Sequence, residues 1–261
     1  VALLFQENVK FNRYSQRKTG EKIGAFSSPF YTKRSAQPFK TYPGKERISL
    51  DDYAMAMHLE QDFFDLVNRR RSIRQYDPNY KISLNEIYAL MHYSYGITHQ
   101  EKILGLDVEE HLGLRAVPSA GGLYPLEMYM FLLQSHPDQG LYHYLPHENS
   151  LEVLGKNEQI KEVIRPHILT APYIDIDTAA MVCVITSVNE RNMIKYGDRG
   201  YKFILNEVGF VANQISLVGE ALGLGTCMAG SYVDDRVNEI IGIDGVYETI
   251  QNVIIIGKQP A

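Results

Sequence analysis

The sequence contains short segments whose residue types could do chemistry. Arg69–Arg74 reads RRRSIR, and the guanidinium groups of Arg70 and Arg74 with the hydroxyl of Ser72 are suited to hold a phosphate. A solvated cationic face is the alternative. Pro118–Pro125 reads PSAGGLYP, where small residues let the backbone approach a flat ligand and the prolines fix the turn. A tight loop that leads into a strand is the alternative there.

Two more segments lie near the longest predicted helix. Lys195-Tyr196 precedes it, and a lysine charge beside a tyrosine can lower the tyrosine pKa enough to make a phenolate base. A solvent-facing lysine next to a packed tyrosine is the alternative. Gly223-Leu-Gly225 follows the helix, where Gly223 has the position of a helix-ending glycine. The second glycine suggests that backbone amides face a ligand.

Several familiar chemistries lack their motifs. The sequence has no GxGxxG after a strand, no GxxxxGK and no GxSxG, which argues against the usual dinucleotide, P-loop and serine hydrolase sites. Its eight histidines show no metal-binding spacing, and Cys183 and Cys227 are too few for a disulfide framework or a cysteine zinc site. We therefore predict no metal and a reducing, cytoplasmic compartment.

Apolar runs and charge give further expectations. No run is long enough to span a bilayer, and the opening VALLFQENVK is too short for a signal peptide, although a start at Val1 leaves a removed leader open. Residues 1–50 hold ten Lys/Arg and three Asp/Glu, whereas residues 51–261 are acidic overall. We predict a basic, extended N-terminal arm with little regular structure that packs on its own protein. A second subunit or an acidic partner is the alternative. Scattered basic residues without a recognition motif do not indicate nucleic acid.

The remaining chain contains a mixture of helical and strand patterns. Helices are predicted at about 51–67, at 83–95 from the capping box Ser83-Leu-Asn-Glu86, and at 158–169, 198–222 and 234–241. The helix at 198–222 is apolar on two sides, which places it in the core centre or in a subunit interface. Strands are predicted at 128–133, 141–144, 150–153, 179–186 and 250–257, and residues 96–115, which have no clear period, are predicted to form a loop or a short element. The elements do not repeat as βαβ units, so an α+β sandwich is expected.

Taken in order, these segments resemble SagB-type flavin-dependent dehydrogenases of the nitroreductase superfamily. The resemblance covers about residues 50–257, and even the opening FQENVK at 5–10 looks like the start of such chains. The matching segments are RRSIR at 70–74, PSAGGLYP at 118–125, GLYHY at 140–144, KYGDRGY at 195–201, EVGFVAN at 207–213 and ALGLG at 221–225. The resemblance implies an α+β nitroreductase-like fold with a central mixed or antiparallel sheet, flanking helices and a long central helix. Residues 51–261 would form the FMN-binding domain, in a homodimer with FMN at the subunit interface.

The resemblance also assigns roles to single residues. Arg70, Ser72 and Arg74 would bind the ribityl-phosphate end of FMN, and Leu224 and Gly225 would face the flavin near N5. Lys195 and Tyr196 match a pair that the family uses for catalysis on peptide azolines. Many nitroreductases contact the phosphate through a basic C-terminal tail. In this chain, Lys258 would be the residue that helps the arginine cluster to bind the phosphate. The residues implied to lie against the isoalloxazine, supplied by the partner subunit, are Pro118, Ser119, Ala120 and Gly121.

Three functions follow as hypotheses. The leading one is an FMN oxidoreductase that dehydrogenates a thiazoline or oxazoline in a peptide, with hydride going to flavin, a proton to Tyr196 or Lys195, and oxygen reoxidising the flavin. Partner enzymes of a peptide-modifying complex would accompany it. The second is an NAD(P)H-dependent nitroreductase or quinone reductase, and the third is a non-catalytic flavin-fold scaffold in such a complex.

Overall fold

The computed structural model describes residues 2–10, 13–26, 39–56, 61–102, 111–170 and 172–260. Its central feature is a seven-stranded sheet in the order β1-β6-β5-β4-β7-β9-β8, in which all neighbouring strands pair antiparallel. A separate hairpin is formed by β2 and β3. The strands are β1 (Arg47–Ser49), β2 (Ile97–Lys102), β3 (His111–Arg115), β4 (Leu126–Leu132), β5 (Gly140–Leu145), β6 (Ser150–Lys156), β7 (Met181–Val188), β8 (Leu224–Ala229) and β9 (Glu248–Lys258).

Helices cover both faces of this sheet. Alternate strand residues point to opposite faces, so the core divides into two apolar clusters, one on each side. The helices are α1 (Ala2–Asn8), α2 (Arg13–Phe26), α3 (Phe63–Arg69), α4 (Leu84–Tyr95), α5 (Ile160–Ile164), α6 (Glu190–Tyr196), α7 (Arg199–Ala221) and α8 (Asp234–Ile241). The long helix α7 and α4 pack on one face of the sheet, and α5 and α8 pack on the other.

The α+β expectation with an antiparallel sheet and a long central helix is confirmed. The predicted capping box is present, because Ser83 caps the backbone of Glu86 and the Glu86 side chain accepts from the backbone of Ser83. Gly223, with φ +66, ends α7 in the left-handed conformation that a glycine adopts without strain. Local signals of this kind need no tertiary information, and they located the helix ends correctly.

Three expectations about local structure are corrected, and a fourth, for residues 96–115, is resolved between its two alternatives. The described part of the basic arm is not extended: α1 and α2 occupy it, and β1 joins the sheet edge through β6. The predicted helix at 51–67 is a 3-10 turn at Asp51–Ala56 and the separate helix α3, whose Phe63 and Phe64 are exposed. The helix predicted at 158–169 is shorter, since α5 ends at Ile164 and a 3-10 turn follows at Arg165–His167. The described part of 96–115 forms the β2–β3 hairpin, which pairs through the backbone and needs no apolar period.

The prediction that the basic arm packs on its own protein is confirmed for its described helices. Val9 is buried, and its carbonyl accepts a hydrogen bond from Arg199 Nη1 at 2.8 Å. The ring of Phe5 meets Tyr201 edge to face at 5.7 Å. The arm therefore lies against the start of α7, beside α6. Among the described residues, no helix combines the length and apolarity needed to cross a bilayer.

Candidate active site

The loop at Pro118–Pro125 is held in an unusual backbone conformation. Gly121 and Gly122 have φ values of +67° and +66°, and Tyr124 has a φ of +44°. The amide of Tyr124 donates to the Ser119 hydroxyl at 2.9 Å, which closes the loop on itself. The two glycines are therefore required by the path of the chain at this turn.

The structure brings this loop to the Lys195-Tyr196 pair. A Cβ atom built on Gly121 would overlap the Tyr196 hydroxyl oxygen and would lie 2.8 Å from Lys195 Nζ. A side chain at this position would displace the ends of Lys195 and Tyr196, and the positive φ of Gly121 favours glycine as well. Two segments that the sequence separates by more than seventy residues thus form one surface of glycine backbone, an amine and a phenol.

Burial shifts the pKa values of the pair in opposite directions. Desolvation lowers the pKa of Lys195 and raises the pKa of Tyr196, because each group loses water around its charged form. The lysine ammonium lies 5.4 Å from the centre of the Tyr196 ring. The raised pKa of Tyr196 is opposite to the expected lowering beside a lysine, so the expectation of a phenolate is wrong and the Tyr196 hydroxyl keeps its proton at neutral pH. Lys195 is the group closer to a neutral, basic form.

A buried carboxylate beneath the loop was missed by the sequence analysis. Glu207 lies on α7 and is almost fully buried. It accepts hydrogen bonds from Ser119 Oγ at 2.5 Å and from Tyr95 Oη at 2.8 Å. Burial raises the pKa of Glu207 to about 7, although both hydrogen bonds and the nearby Arg115 oppose the shift. The sequence offered two signals for Glu207, its place in the matching segment at 207–213 and a carboxylate among the apolar stripes of a helix.

The helix that carries Lys195 and Tyr196 is anchored by a buried ion pair. Arg191 on α6 contacts Glu127 on β4 at 2.6 Å, and it donates to the Tyr124 carbonyl at 3.4 Å. His143 contacts the same carboxylate at 2.9 Å. Burial alone would raise the pKa of Glu127, but the arginine and the histidine hold it at about 2. Arg191 therefore connects the loop, the sheet and α6.

The arginine-rich segment lies on the edge of the sheet at β8. Ser72 pairs with Thr226 in a parallel bridge, and the amide of Ile73 donates to the Thr226 carbonyl at 3.0 Å. A Cβ on Gly225 would lie 2.6 Å from the side chain of Ile73, so this glycine is explained by packing. The expected neighbours Arg70–Arg74 and Leu224–Gly225 do lie together.

The guanidinium groups of this segment have few partners. Neither Arg70 nor Arg74 contacts a carboxylate among the described residues, and Arg74 donates only to the nearby carbonyl of Ser72 at 3.1 Å. Arg69, by contrast, pairs with Glu220 at 3.7 Å. Two cations without anions beside a backbone turn form a surface on which a phosphate fits.

Two residues predicted to bind the cofactor make other contacts within the chain. The side chain of Leu224 is buried in the core against α7, so only its backbone can meet a ligand. Lys258 Nζ contacts the Leu222 carbonyl at 3.4 Å and lies 5.8 Å from the centre of the Tyr80 ring. The lysine thus caps the end of α7.

The chain belongs to the nitroreductase family, whose model matches residues 67–258. Two curated relatives refine this statement. The candidate nitroreductase MJ1384 of Methanocaldococcus jannaschii is 32% identical over 180 residues, which cover 69% of this chain and 83% of that protein. The microcin B17-processing protein McbC of Escherichia coli is 27% identical over 149 residues, which cover 50% of this chain and 49% of McbC.

Solved structures agree with this fold. A candidate nitroreductase from Anabaena variabilis superposes with a TM-score of 0.73 at 22% identity, over 98% of this chain and 45% of that one. The E. coli McbBCD complex with truncated pro-MccB17 bound gives 0.59 at 20% identity, over 90% of this chain and 84% of the matched chain. A candidate nitroreductase from Exiguobacterium sibiricum in complex with FMN gives 0.54 at 18% identity, over 77% and 90%. The chain spans less than half the length of McbC and of the Anabaena protein.

Proposed function

We propose that this protein is an FMN-dependent dehydrogenase of the SagB type, which oxidises azoline rings in a peptide. One observation carries the proposal: the glycine loop at Gly121 lies directly against the Lys195 amine and the Tyr196 hydroxyl. A base and a proton donor thus lie beside a backbone loop whose exposed side can accept a flat ring. The similarity to McbC, a microcin-processing protein, supports a peptide as the substrate.

The residues fit FMN at both of its ends. Arg70, Ser72 and Arg74 offer charge-assisted donors for one phosphate. At the other end, Lys195 and Tyr196 cover one side of Gly121, and the part of the Ser119–Gly121 backbone that stays exposed would meet the flat isoalloxazine ring. When bound, FMN would supply the hydride acceptor, and oxygen would restore its oxidised form.

Lys195 is proposed as the base and Tyr196 as its hydrogen-bonding partner at the reacting ring. A lowered pKa increases the fraction of neutral amine that can remove a proton from the azoline carbon. The raised pKa of Tyr196 keeps its hydroxyl protonated, so it can donate to a heteroatom of the substrate. Ser119 is proposed to hold the loop in place, because its hydroxyl already hydrogen-bonds to Glu207 and to the Tyr124 amide.

The positions of the residues proposed for the two ends of FMN, the phosphate and the isoalloxazine ring, support a homodimer. In one chain, the Arg70–Arg74 segment lies near the C-terminal end of α7, whereas Ser119 contacts the helix at Glu207, closer to its start. Leu205 and Phe210 are exposed apolar side chains on the same helix. Pairing two copies through α7 would bring the arginines of one subunit to the loop of the other. Partner enzymes of a peptide-modifying complex are part of the proposal, as the McbBCD structure suggests.

The experiment is oxidation of a synthetic thiazoline peptide in air by the purified protein. We expect each ring to lose two hydrogen atoms, measured by mass spectrometry, with matching oxygen consumption. Lys195→Ala is the matched control, since it removes the proposed base and leaves the arginines in place. A thiazoline peptide that returns unchanged from the flavin-loaded protein would contradict the proposal.

A second candidate function is favoured by the similarity to MJ1384 at 32% identity. In that case NAD(P)H would reduce the flavin, which would then reduce a nitroaromatic or a quinone. NAD(P)H oxidation that depends on a nitroaromatic acceptor, and is insensitive to Lys195→Ala, would favour this function over azoline oxidation.

A further inference from the structure

A cavity of about 350 Å³ lies between the N-terminal helices and the junction of α6 with α7. The chain around Val9 and one side of α2 form one wall, and Tyr196–Arg199 forms the other. Contacts of Phe5 with Tyr201 and of Val9 with Arg199 hold α1 against α7. The cavity therefore adjoins the proposed proton donor Tyr196 directly.

The walls of this cavity are strongly cationic. Lys10, Lys18, Lys22 and Arg199 line it, against the single carboxylate of Asp198. Lys10 pairs with Glu7, but Lys18 and Lys22 contact no carboxylate in the part of the chain that the structure describes. The chain as a whole has a net charge of −5, so this local excess of positive charge opposes the overall balance. Lys18 and Lys22 add positive charge beside Lys10 and Arg199, and a bound anion relieves the repulsion among like charges.

The spacing of the two lysines indicates the shape of that anion. Lys18 and Lys22 are four residues apart on α2, which places them about 6 Å apart along one face of the helix. Side chains on one face of an extended peptide repeat at about 6.6 Å. Flexible lysine side chains, which act as point charges, absorb the small difference.

From this geometry we propose that the cavity binds an extended peptide segment with acidic residues at alternate positions. The segment would flank the residue that reacts at Lys195 and Tyr196. The inference rests on the proposed peptide function and adds its substrate class: a peptide whose carboxylates lie beside the reacting ring. The basic arm would thus be part of the substrate site.

The binding test uses the absence of tryptophan from this protein. The probe is a short peptide with three glutamates at alternate positions and one tryptophan, whose fluorescence reports binding. Its glutamine counterpart is the neutral control. With the purified full chain, we expect the glutamate peptide to bind about tenfold tighter, with an advantage that decreases as salt is added. Equal affinity for the two peptides would overturn the proposal.

Variants locate the site. We expect Lys18→Gln combined with Lys22→Gln to weaken glutamate-peptide binding about tenfold and to leave the glutamine peptide unaffected. Arg17→Gln with Lys81→Gln removes two charges outside the cavity and should bind as the wild type does. Unchanged glutamate-peptide binding in the first variant would reject the cavity as the site. If that variant instead lost only NADPH binding, the cavity would serve a nucleotide phosphate and the peptide proposal would be wrong.

The outcome is separable from that of the proposed function. Peptide binding is measured without turnover, so selective glutamate-peptide binding supports the cavity even if a thiazoline peptide is not oxidised. Oxidation of thiazoline peptides with no preference for flanking glutamates would confirm the function and overturn the cavity proposal.

Discussion

Glu207 and Glu220 stand thirteen residues apart on α7, about 20 Å along the helix, and each contacts a different part of the candidate site. Glu207 accepts from Ser119 in the glycine loop, and Glu220 pairs with Arg69 at the start of the arginine segment. One helix thus separates the two groups of candidate flavin ligands within a single chain. A second copy is the simplest way to bring them to one cofactor.

We predict a homodimer of about 60 kDa in light scattering, twice the chain mass of 29.7 kDa. Phe210 is 48% exposed and Leu205 is 41% exposed, both on α7. Phe210→Asp should therefore dissociate the dimer and lower flavin retention, because it puts a charge into the proposed interface. Val246→Asp changes an apolar side chain away from α7 that is 71% exposed, and it is the control. A wild-type monomer at micromolar concentration would refute the prediction.

We predict that the purified protein is yellow and releases FMN rather than FAD on extraction. Arg70→Ala or Arg74→Ala should lower FMN affinity about ten- to a hundredfold, since each removes one charge-assisted phosphate contact. Excess FMN should restore part of the activity. Arg236→Ala removes an exposed arginine on α8 that pairs with Glu239, and it should keep its flavin. Retention of full FMN affinity by both alanine variants would show that the phosphate binds elsewhere.

Substitutions at the catalytic pair should leave the flavin bound and change turnover. Lys195→Ala and Tyr196→Phe are expected to lower thiazoline oxidation by about 10²–10⁴-fold while the protein stays yellow. Reduction of a nitroaromatic should decrease less, because it needs no base at a carbon atom. If Tyr196→Phe loses its flavin, or if both variants keep full thiazoline turnover, the assigned roles are wrong.

The pH dependence should identify which of the two residues is the base. Because desolvation lowers the pKa of Lys195, the neutral amine accumulates at a lower pH than for an ordinary lysine. We expect kcat/KM for a thiazoline peptide to rise with pH through that lowered pKa and then to level off. Tyr196→Phe should retain this rise at a lower rate, and Lys195→Ala should lose it. A rise that disappears only in Tyr196→Phe would assign the base to the tyrosine.

Glu207 should make the stability of the protein depend on pH. Its pKa is raised from 4.5 to about 7 in the folded chain, so folding is favoured when the carboxyl is protonated. The free energy of unfolding should fall by up to about 3 kcal/mol between pH 4.5 and 8. Glu207→Gln should remove most of this loss, and Glu220→Gln, on the same helix, is the control. Urea unfolding at pH 4.5 and at pH 8 measures the free energy of unfolding. An equal change with pH in the wild type and in Glu207→Gln would contradict the raised pKa of Glu207.

Much of the framework followed from the sequence alone. The ends of α4 and α7 were located by Ser83, Glu86 and Gly223, because caps and left-handed glycines act within a few residues of the chain. Five of the seven strands of the sheet and the α+β class followed from short-range apolar patterns, whereas β1 and β8 were not predicted. The segments at Arg70–Arg74, Pro118–Pro125 and Lys195-Tyr196 were recognised from their residue types and their order.

Only the tertiary structure decided which of these segments meet and with what chemistry. Gly121 lies against Lys195 and Tyr196 because the loop that precedes β4 meets the end of α6 in space. No local sequence pattern encodes that contact. Burial then reversed the expected titration of Tyr196 and raised the pKa of Glu207, since desolvation depends on every neighbour in space. Likewise, the glycine at 225 is explained by the side chain of Ile73, which lies far away in sequence. Residue types set the possible chemistry, and long-range packing selected the groups that carry it out.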